Sequence, residues 1–290
     1  MLRRLRNAPV GRSNALSRAG LCAALGLIGA VAAHPARAAA PTLRVCADPN
    51  NLPFSDSRGQ GFENKLAELV AVQLHEPLVY TWWPQRQGFF RHTLNAHRCD
   101  VVMGVPTALD RVETTRPYYR SSYVFVSRAD RHIDVSAITD PRLRHLKIGV
   151  ELLGADGFNT PPAHALGDEG IVANVVGFRA YGDYRAPSPA PEIVKAVASG
   201  AIDIAAPWGP LGGYYAKLSP VPLKVVPIAA TARFAPLRFQ FDMSMGVRKG
   251  DDALRAKLDA VIARCRPEIT AILEAYRVPL VEPARATPSH

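Results

Sequence analysis

A polar turn directly follows the first apolar segment of the chain and contains residues that could bind a ligand. It has the sequence CADPNNLPFS (46–55), in which Asp48, Asn51 and Phe54 are the candidate contacts. Where strands and helices alternate, ligands bind beyond the carboxyl ends of the strands, close to helix N-termini with unpaired N–H groups. We therefore expect Asp48 and Asn51 at a binding site. Phe54 could stack on a ligand, although filling the floor of a cleft is the stronger interpretation.

Sequence motifs of common enzymes are absent: the chain contains no GxSxG, HExxH, P-loop or GxGxxG pattern. The histidines are scattered, and His92 and His97 fall on different sides of a helical turn. Asp48, Asp56 and Glu63 lack the spacing of a calcium or lanthanide loop. We expect no bound metal, no cofactor, no catalytic residue and a non-enzymatic protein.

The elements that would position these residues form two α/β series. In the first, an amphipathic helix follows Gly61, Leu78–Trp83 (LVYTWW) is a strand, Gly88–Ala96 is a short helix and Asp100–Gly104 is a buried strand. Tyr118–Val126 is a longer β-rich segment, suited to a strand that crosses between two lobes. This alternation predicts parallel strands with right-handed crossovers.

The second series continues the alternation. Predicted strands are 146–150, 174–178, 202–206, 223–228 and 241–248, and predicted helices are 163–168, 192–199, 251–265 and 267–276. The expected fold is a pair of α/β lobes around a cleft, joined by two crossover strands near Tyr123 and Met245. Lobe 1 would comprise 39–122 and 246–282, and lobe 2 would comprise 123–245.

The N-terminal segment has the features of an export signal. It is basic without acidic residues, continues into an apolar stretch from Leu21 to Ala33, and contains Ala36-Arg37-Ala38 as a cleavage site. We expect residues 1–38 to be a signal peptide, the mature chain to be periplasmic without a membrane span, and 283–290 to be a disordered tail. Six of the 35 basic residues precede Ala39, which leaves 29 basic and 25 acidic residues, a net charge of +4. The composition therefore gives no support for nucleic-acid binding.

Three cysteines remain after the predicted cleavage site. Cys265 continues the apolar stripe of its helix and is expected to be a buried free thiol. Cys46 and Cys99 could form a disulfide in an oxidising compartment. A usual strand register would, however, separate their Cα atoms by more than about 7 Å.

Several segments resemble a known family. They are CADPNNLPFS (46–55), GFENKLAELVA (61–71), TWWPQR (81–86), RCDVVMGVP (98–106), TTRPYYRSSYVFVSR (114–128), PWGPLGGYYA (207–216) and FDMSMGVRKGDD (241–252). Between Leu43 and Val281 the chain resembles the type 2 periplasmic solute-binding proteins of family 3. Within that family it is similar to the quinoprotein (methanol) dehydrogenase-associated proteins of the MoxJ/XoxJ type.

The resemblance implies a cleft related to amino-acid sites but altered. Arg111 stands where an arginine binds the α-carboxylate in amino-acid-binding members, although it could instead pair with Asp48, Asp110 or Glu113. Gly104 is followed by Val105 and Pro106 instead of a hydroxyl-bearing residue. Trp208 stands where a carboxylate usually binds the ammonium group, and its Pro and Gly neighbours predict a loop. We therefore expect little binding of free α-amino acids.

The resemblance also implies a protein partner. This would be a PQQ-dependent alcohol dehydrogenase, with or without its c-type cytochrome, whose maturation or activation the chain would support. Candidate partner-surface residues are Trp83, Arg86, Tyr119 and Tyr215, although core packing is the default for paired aromatic residues. The alternatives are a small-molecule receptor of an ABC transporter and a dehydratase-type lyase, for which Asp48 and Glu151 are the available acid–base groups.

Overall fold

The computed structural model of the chain describes residues 41–153, 159–180, 191–229 and 232–282. The predicted signal peptide and the predicted C-terminal tail lie outside these ranges. No helix within them is both long enough and apolar enough to cross a membrane.

Thirteen strands and seven α-helices are formed by the described residues. The strands are β1 Leu43–Ala47, β2 Asn50–Asn51, β3 Ser55–Asp56, β4 Leu78–Trp82, β5 Val101–Pro106, β6 Glu113–Thr114, β7 Tyr119–Ser122, β8 Val124–Arg128, β9 Ile148–Leu152, β10 Val175–Arg179, β11 Ile204–Ala205, β12 Leu223–Pro227 and β13 Gln240–Val247. The helices are α1 Phe62–Leu74, α2 Phe89–His92, α3 Pro161–Asp168, α4 Glu192–Ala198, α5 Gly209–Lys217, α6 Asp252–Arg264 and α7 Arg266–Ala275.

The first sheet has the strand order β4-β1-β5-β13-β6, and β7 also pairs with β13. β1 pairs in parallel with β4 and β5, whereas β13 is antiparallel to β5. The apolar stripe of α1, which includes Leu66, packs in one core with Leu258 of α6 and Ile269 of α7. The two C-terminal helices therefore complete the lobe that the N-terminal strands begin.

The second sheet has the order β10-β9-β11-β8-β12. Its β10, β9 and β11 are parallel, and β8 is antiparallel to both of its neighbours. Apolar residues of β9, α3 and β11, such as Ile148, Leu166 and Ile204, form its main core. The fold is thus α/β with two mixed sheets.

The chain passes between the two sheets at two places. The predicted strand over Tyr118–Val126 is divided at Tyr123, since β7 belongs to the first sheet and β8 to the second. The return lies between β12 and β13. β13 pairs with the first sheet from Gln240 onward, so this passage precedes Met245, where the sequence had placed it.

Cys46 and Cys99 form a disulfide with their Cα atoms 5.4 Å apart. The objection from strand register was therefore wrong. Cys46 is opposite Val102 in the β1–β5 pairing, and bends at Arg98 and Asp100 bring Cys99 back toward β1. Cys265 is a buried free cysteine, as expected.

The segment after Trp208 is a helix, α5, and not the predicted loop. Trp208 is its N-cap and Pro210 lies in its first turn. The backbone N–H groups of a first turn have no partner within the helix, so the N–H that proline lacks is not missed there. The glycines that argued against a helix permit close packing. A Cβ on Gly213 would be 2.0 Å from the carbonyl oxygen of Arg277, and one on Gly209 would be 2.3 Å from that of Ser122.

Candidate functional site

A cavity of about 310 Å³ lies between residues of the two sheets. We call it the cleft cavity. It is lined by Asn51, Phe54, Glu63, Gln85, Gly104, Pro106, Tyr123, Glu151, Leu153, Thr160, Ala180, Trp208, Leu211, Phe241 and Met243. Its volume is at the lower end of the range for small-molecule sites, which is about 300–1,000 Å³.

Glu63 places a buried carboxyl group at the first-sheet side of the cleft cavity. It is the second residue of α1, and only 8% of its surface is exposed. No other described residue hydrogen-bonds its carboxyl group. Burial raises the pKa of Glu63 to about 8, and the nearby charge of Asp48 adds to this increase. Burial thus outweighs the preference of a helix N-terminus for an anion.

Gly104 provides the space that the Glu63 carboxyl group occupies. A Cβ on Gly104 would lie 2.0 Å from Oε1 of Glu63, well inside van der Waals contact. The absence of a side chain at the carboxyl end of β5 therefore allows Glu63 to reach the cleft cavity. Gly61, the N-cap of α1, likewise allows a close approach, because a Cβ there would be 2.0 Å from the Phe54 carbonyl oxygen.

Glu151 supplies a second buried carboxyl group, from β9 of the second sheet. Its Oε2 accepts a hydrogen bond from the backbone N–H of Trp208 at 3.0 Å. Burial raises the pKa of Glu151 to about 7, and the Trp208 hydrogen bond opposes this increase. The cleft cavity therefore has an acidic group on each side, and none of its described lining residues is Lys, Arg or His.

Three aromatic rings form one wall of the cleft cavity. The ring of Trp208 lies 5.1 Å from that of Tyr123 and 5.8 Å from that of Phe241, in both cases edge to face. Trp208 is thus a cleft residue, as predicted. Glu151 lies directly beside Trp208, so the cleft has a carboxyl group there, although it comes from β9 and not from the position that Trp208 occupies.

The predicted residues of the polar turn have two different roles. Asn51 and Phe54 line the cleft cavity, and the Phe54 ring lies 5.4 Å from that of Phe62. Asp48 is fully buried and does not line it. The Asp48 carboxylate instead accepts hydrogen bonds from the backbone N–H groups of Asn50, at 2.8 Å, and Gln85, at 2.6 Å. It therefore fixes the loop that presents Gln85 to the cavity.

Arg111 is exposed and is not part of the cavity lining. Its guanidinium group forms no ion pair with another described residue. Arg111 is therefore not placed to bind a ligand carboxylate in the cavity, and it does not pair with Asp48, Asp110 or Glu113. The reason is positional: β5 continues to Pro106, and Arg111 follows in the connection to β6, away from the cavity.

The four predicted partner-surface residues differ in accessibility. Arg86 is exposed, and the half-buried Trp83 stacks on His92 with ring centroids 4.7 Å apart. The prediction for Tyr119 was wrong, because its ring is only 6% exposed and packs in the first core. Tyr215 is half-buried, and its hydroxyl donates a hydrogen bond to the carbonyl oxygen of Leu52 at 3.2 Å.

Sequence reasoning did not identify Glu63 as a site residue and considered Glu151 only as an acid–base group. The available signal was positional, since Glu151 directly follows the predicted strand 146–150 and Glu63 lies in the first turn of the helix predicted after Gly61. A search of the described ranges finds no group of three or more potential metal ligands. The two carboxyl groups can form hydrogen bonds with a ligand and, when ionised, can pair with an organic cation.

Comparisons with known proteins cover most of the chain. The model of the bacterial extracellular solute-binding proteins, family 3, matches residues 43–277. Protein MoxJ of Methylorubrum extorquens is 36% identical over 264 residues, which span 86% of this chain and 85% of that relative. The crystal structure of the periplasmic binding protein XoxJ from Methylobacterium extorquens AM1 is 35% identical with a TM-score of 0.69, covering 83% of this chain and all of that one. The structure of MxaJ from Methlophaga aminisulfidivorans MPT is 29% identical with a TM-score of 0.70 and the same coverage.

Proposed function

The chain belongs to the bacterial extracellular solute-binding proteins of family 3 and has their type 2 periplasmic binding protein fold. On this premise we propose that it is a non-enzymatic accessory protein of a PQQ-dependent alcohol dehydrogenase. It is exported to the periplasm after cleavage near Ala38 and aids maturation or activation of the enzyme. The observation that carries the proposal is the similarity to MoxJ over 86% of the chain.

The geometry of the cleft supports a function other than amino-acid uptake. A free α-amino acid presents a carboxylate, and the arginine expected to bind it lies outside the cleft cavity. The described lining of the cleft cavity contains two buried carboxyl groups and no basic side chain, so it offers that carboxylate no counter-charge. A receptor for free amino acids is therefore the less favourable interpretation.

Residues near the cleft cavity offer a surface for the partner. Trp83 and Arg86 flank Gln85, which lines the cavity. The Arg98 guanidinium lies 5.8 Å from the Trp83 ring centroid, so the indole has a cationic neighbour. Tryptophan and arginine are favoured anchors of protein interfaces, and the net charge of +4 expected for the mature chain would steer it toward an acidic partner.

Affinity capture tests this proposal. The full-length chain, with its predicted signal peptide and a C-terminal tag, is expressed in its own host, and the periplasm is passed over the affinity resin at physiological salt. A tagged amino-acid receptor of the same family, processed in parallel, serves as the control. The proposal predicts recovery of a large quinoprotein subunit with this chain alone. Repeated failure to recover any quinoprotein dehydrogenase would contradict it.

A second candidate function is supported by Glu151. A dehydratase-type lyase needs a positioned acid–base group, and a buried carboxyl group with a pKa of about 7 could take or give a proton near neutral pH. Purified protein that eliminates water from cyclic hydroxy acids, and loses this activity in Glu151→Gln, would establish the lyase. Purified protein without such turnover would leave the accessory role as the better account.

A further inference from the structure

We propose that the cleft cavity binds a small organic ammonium ion that has an apolar body and no carboxylate. The juxtaposition of Glu63, Glu151 and the aromatic wall carries this inference. It does not depend on association with a dehydrogenase, because the cavity belongs to the isolated chain.

The first argument for a cation is that the Glu63 carboxyl group has no hydrogen-bond partner among the described residues. The Glu63 carboxyl group is buried, lines the cleft cavity and receives no hydrogen bond from the described residues. Its oxygens are not completely enclosed by protein atoms, so they are open to a ligand in the cavity. An ammonium group has three N–H donors and a positive charge, so it would satisfy this carboxyl group.

The second carboxyl group and the aromatic wall add selectivity for a cation. Glu151 uses one oxygen for the Trp208 N–H, which leaves acceptor capacity for a ligand. The rings of Tyr123, Trp208 and Phe241 pack against one another around the same space, and the face of an aromatic ring is electron-rich. Aromatic rings of this kind attract ammonium groups, with tryptophan the strongest of them.

The remaining lining limits the ligand to an amine without an acid group. Leu153, Leu211, Met243 and Phe54 give apolar surface for a hydrocarbon body. No basic side chain is among the described lining residues, so none of these residues would give a ligand carboxylate a counter-charge. This differs from amino-acid receptors, in which both the amino and the carboxylate groups are bound.

Binding of a cation should be coupled to loss of protons. The nearby charge of Asp48 disfavours a charged Glu63. Burial raises the pKa of the Tyr118 and Tyr119 hydroxyls, and the charge of Glu63 adds to this increase. The same two causes act on the half-buried Tyr80. Burial raises the pKa of Glu63 to about 8 and that of Glu151 to about 7, so both must release protons to become carboxylates. Affinity for a cation should therefore increase with pH.

Calorimetric titration with three matched probes tests the proposal. They are 2-phenylethylammonium, its neutral isostere 2-phenylethanol, and L-phenylalanine, which adds a carboxylate. At about pH 8 we expect the ammonium ion to bind with a dissociation constant below about 100 μM, and the other two probes to bind at least about tenfold more weakly. Affinity for the ammonium ion should fall at least about fivefold between about pH 8 and about pH 6.

Variants assign the effect to the two glutamates. Glu63→Gln and Glu151→Gln should each weaken binding of 2-phenylethylammonium about tenfold or more and reduce its pH dependence. Glu68→Gln, a change on the exposed face of α1, and Arg111→Ala should bind as the wild type does. Thermal unfolding confirms that each variant is folded, and the three-probe comparison requires no variant.

Three results would overturn the proposal. They are no heat of binding with millimolar 2-phenylethylammonium, binding of L-phenylalanine at least as tight as that of the amine, or equally tight binding of the neutral alcohol with affinity that decreases as pH rises. The last result would mean that the glutamic acids act as neutral hydrogen-bond donors. None of these outcomes bears on capture of a dehydrogenase, so the two proposals fail separately.

Discussion

Replacing Glu63 by glutamine should stabilise the protein at neutral and alkaline pH. The wild-type side chain is buried with a pKa raised to about 8 from an ordinary value of 4.5. Between these values the folded protein holds a proton that the unfolded chain has released, so its free energy of unfolding decreases as pH rises. Each pH unit costs about 1.4 kcal/mol, or roughly 5 kcal/mol over the whole interval. Glutamine keeps the shape of the side chain and has no such dependence.

Urea unfolding of wild type and Glu63→Gln at four pH values between about 5 and 8 measures this effect. Glu151 and the other ionisable groups are common to both proteins, so their contributions cancel in the difference. We expect the stability of Glu63→Gln relative to the wild type to increase by about 2–4 kcal/mol from the lowest to the highest pH. The matched control is Glu68→Gln on the same helix, where the side chain is half-exposed and pairs with Lys65 at 3.0 Å. Its difference from the wild type should stay within about 0.5 kcal/mol at every pH.

A difference between wild type and Glu63→Gln that does not change with pH would refute this reasoning. It would mean that Glu63 is ionised in the folded protein across this range, through solvent or a counter-charge that the structure does not provide.

Three further predictions concern packing, covalent structure and the partner surface. Gly104→Ala should destabilise the protein by about 1–3 kcal/mol, because the new methyl group would lie 2.0 Å from Oε1 of Glu63. Urea unfolding should show a smaller loss of stability when Gly104→Ala is made in the Glu63→Ala variant. Equal losses of stability in the two backgrounds would contradict the contact. Cys99→Ser should cost about 2–4 kcal/mol, since the disulfide closes a loop of 53 residues; unchanged stability under non-reducing conditions would contradict it. Trp83→Ala combined with Arg86→Ala should reduce capture of a quinoprotein dehydrogenase at least about tenfold, whereas Arg91→Ala on the nearby α2 should not; equal capture by both variants would exclude this surface.

Local periodicity predicted most of the fold. The apolar stripes of α1, α6 and α7 and the continuous apolar segment of β5 are visible in the sequence, and the structure forms each of them. The pattern could not predict α5, because its glycines lower helix propensity and are explained only by the close approach of Arg277 and Ser122. It placed a crossover near Tyr123, where the chain does change sheets, but as one continuous strand, since the segments that form β7 and β8 have the same β-rich composition.

The site was less accessible to sequence reasoning. Asn51, Phe54, Gly104 and Trp208 were predicted near the cleft, and all four line the cavity. Glu63 and Glu151 line the same cavity only because residues from two separate sheets surround it, which is a relation that local spacing does not contain. Arg111 was placed in the cleft by family resemblance, and the length of β5 and the turn after it direct the residue elsewhere.

The position of a bound amine tests the central claim about the cleft most directly. Crystals grown with 2-phenylethylammonium should show its nitrogen at hydrogen-bond distance, about 2.7–3.2 Å, from a carboxyl oxygen of Glu63 or Glu151, with the phenyl ring against Trp208 and Phe241. Crystals grown with L-phenylalanine should leave the cleft without the amino acid. An amino acid held in the cleft with its carboxylate on Arg111, or an amine bound away from both glutamates, would contradict the account.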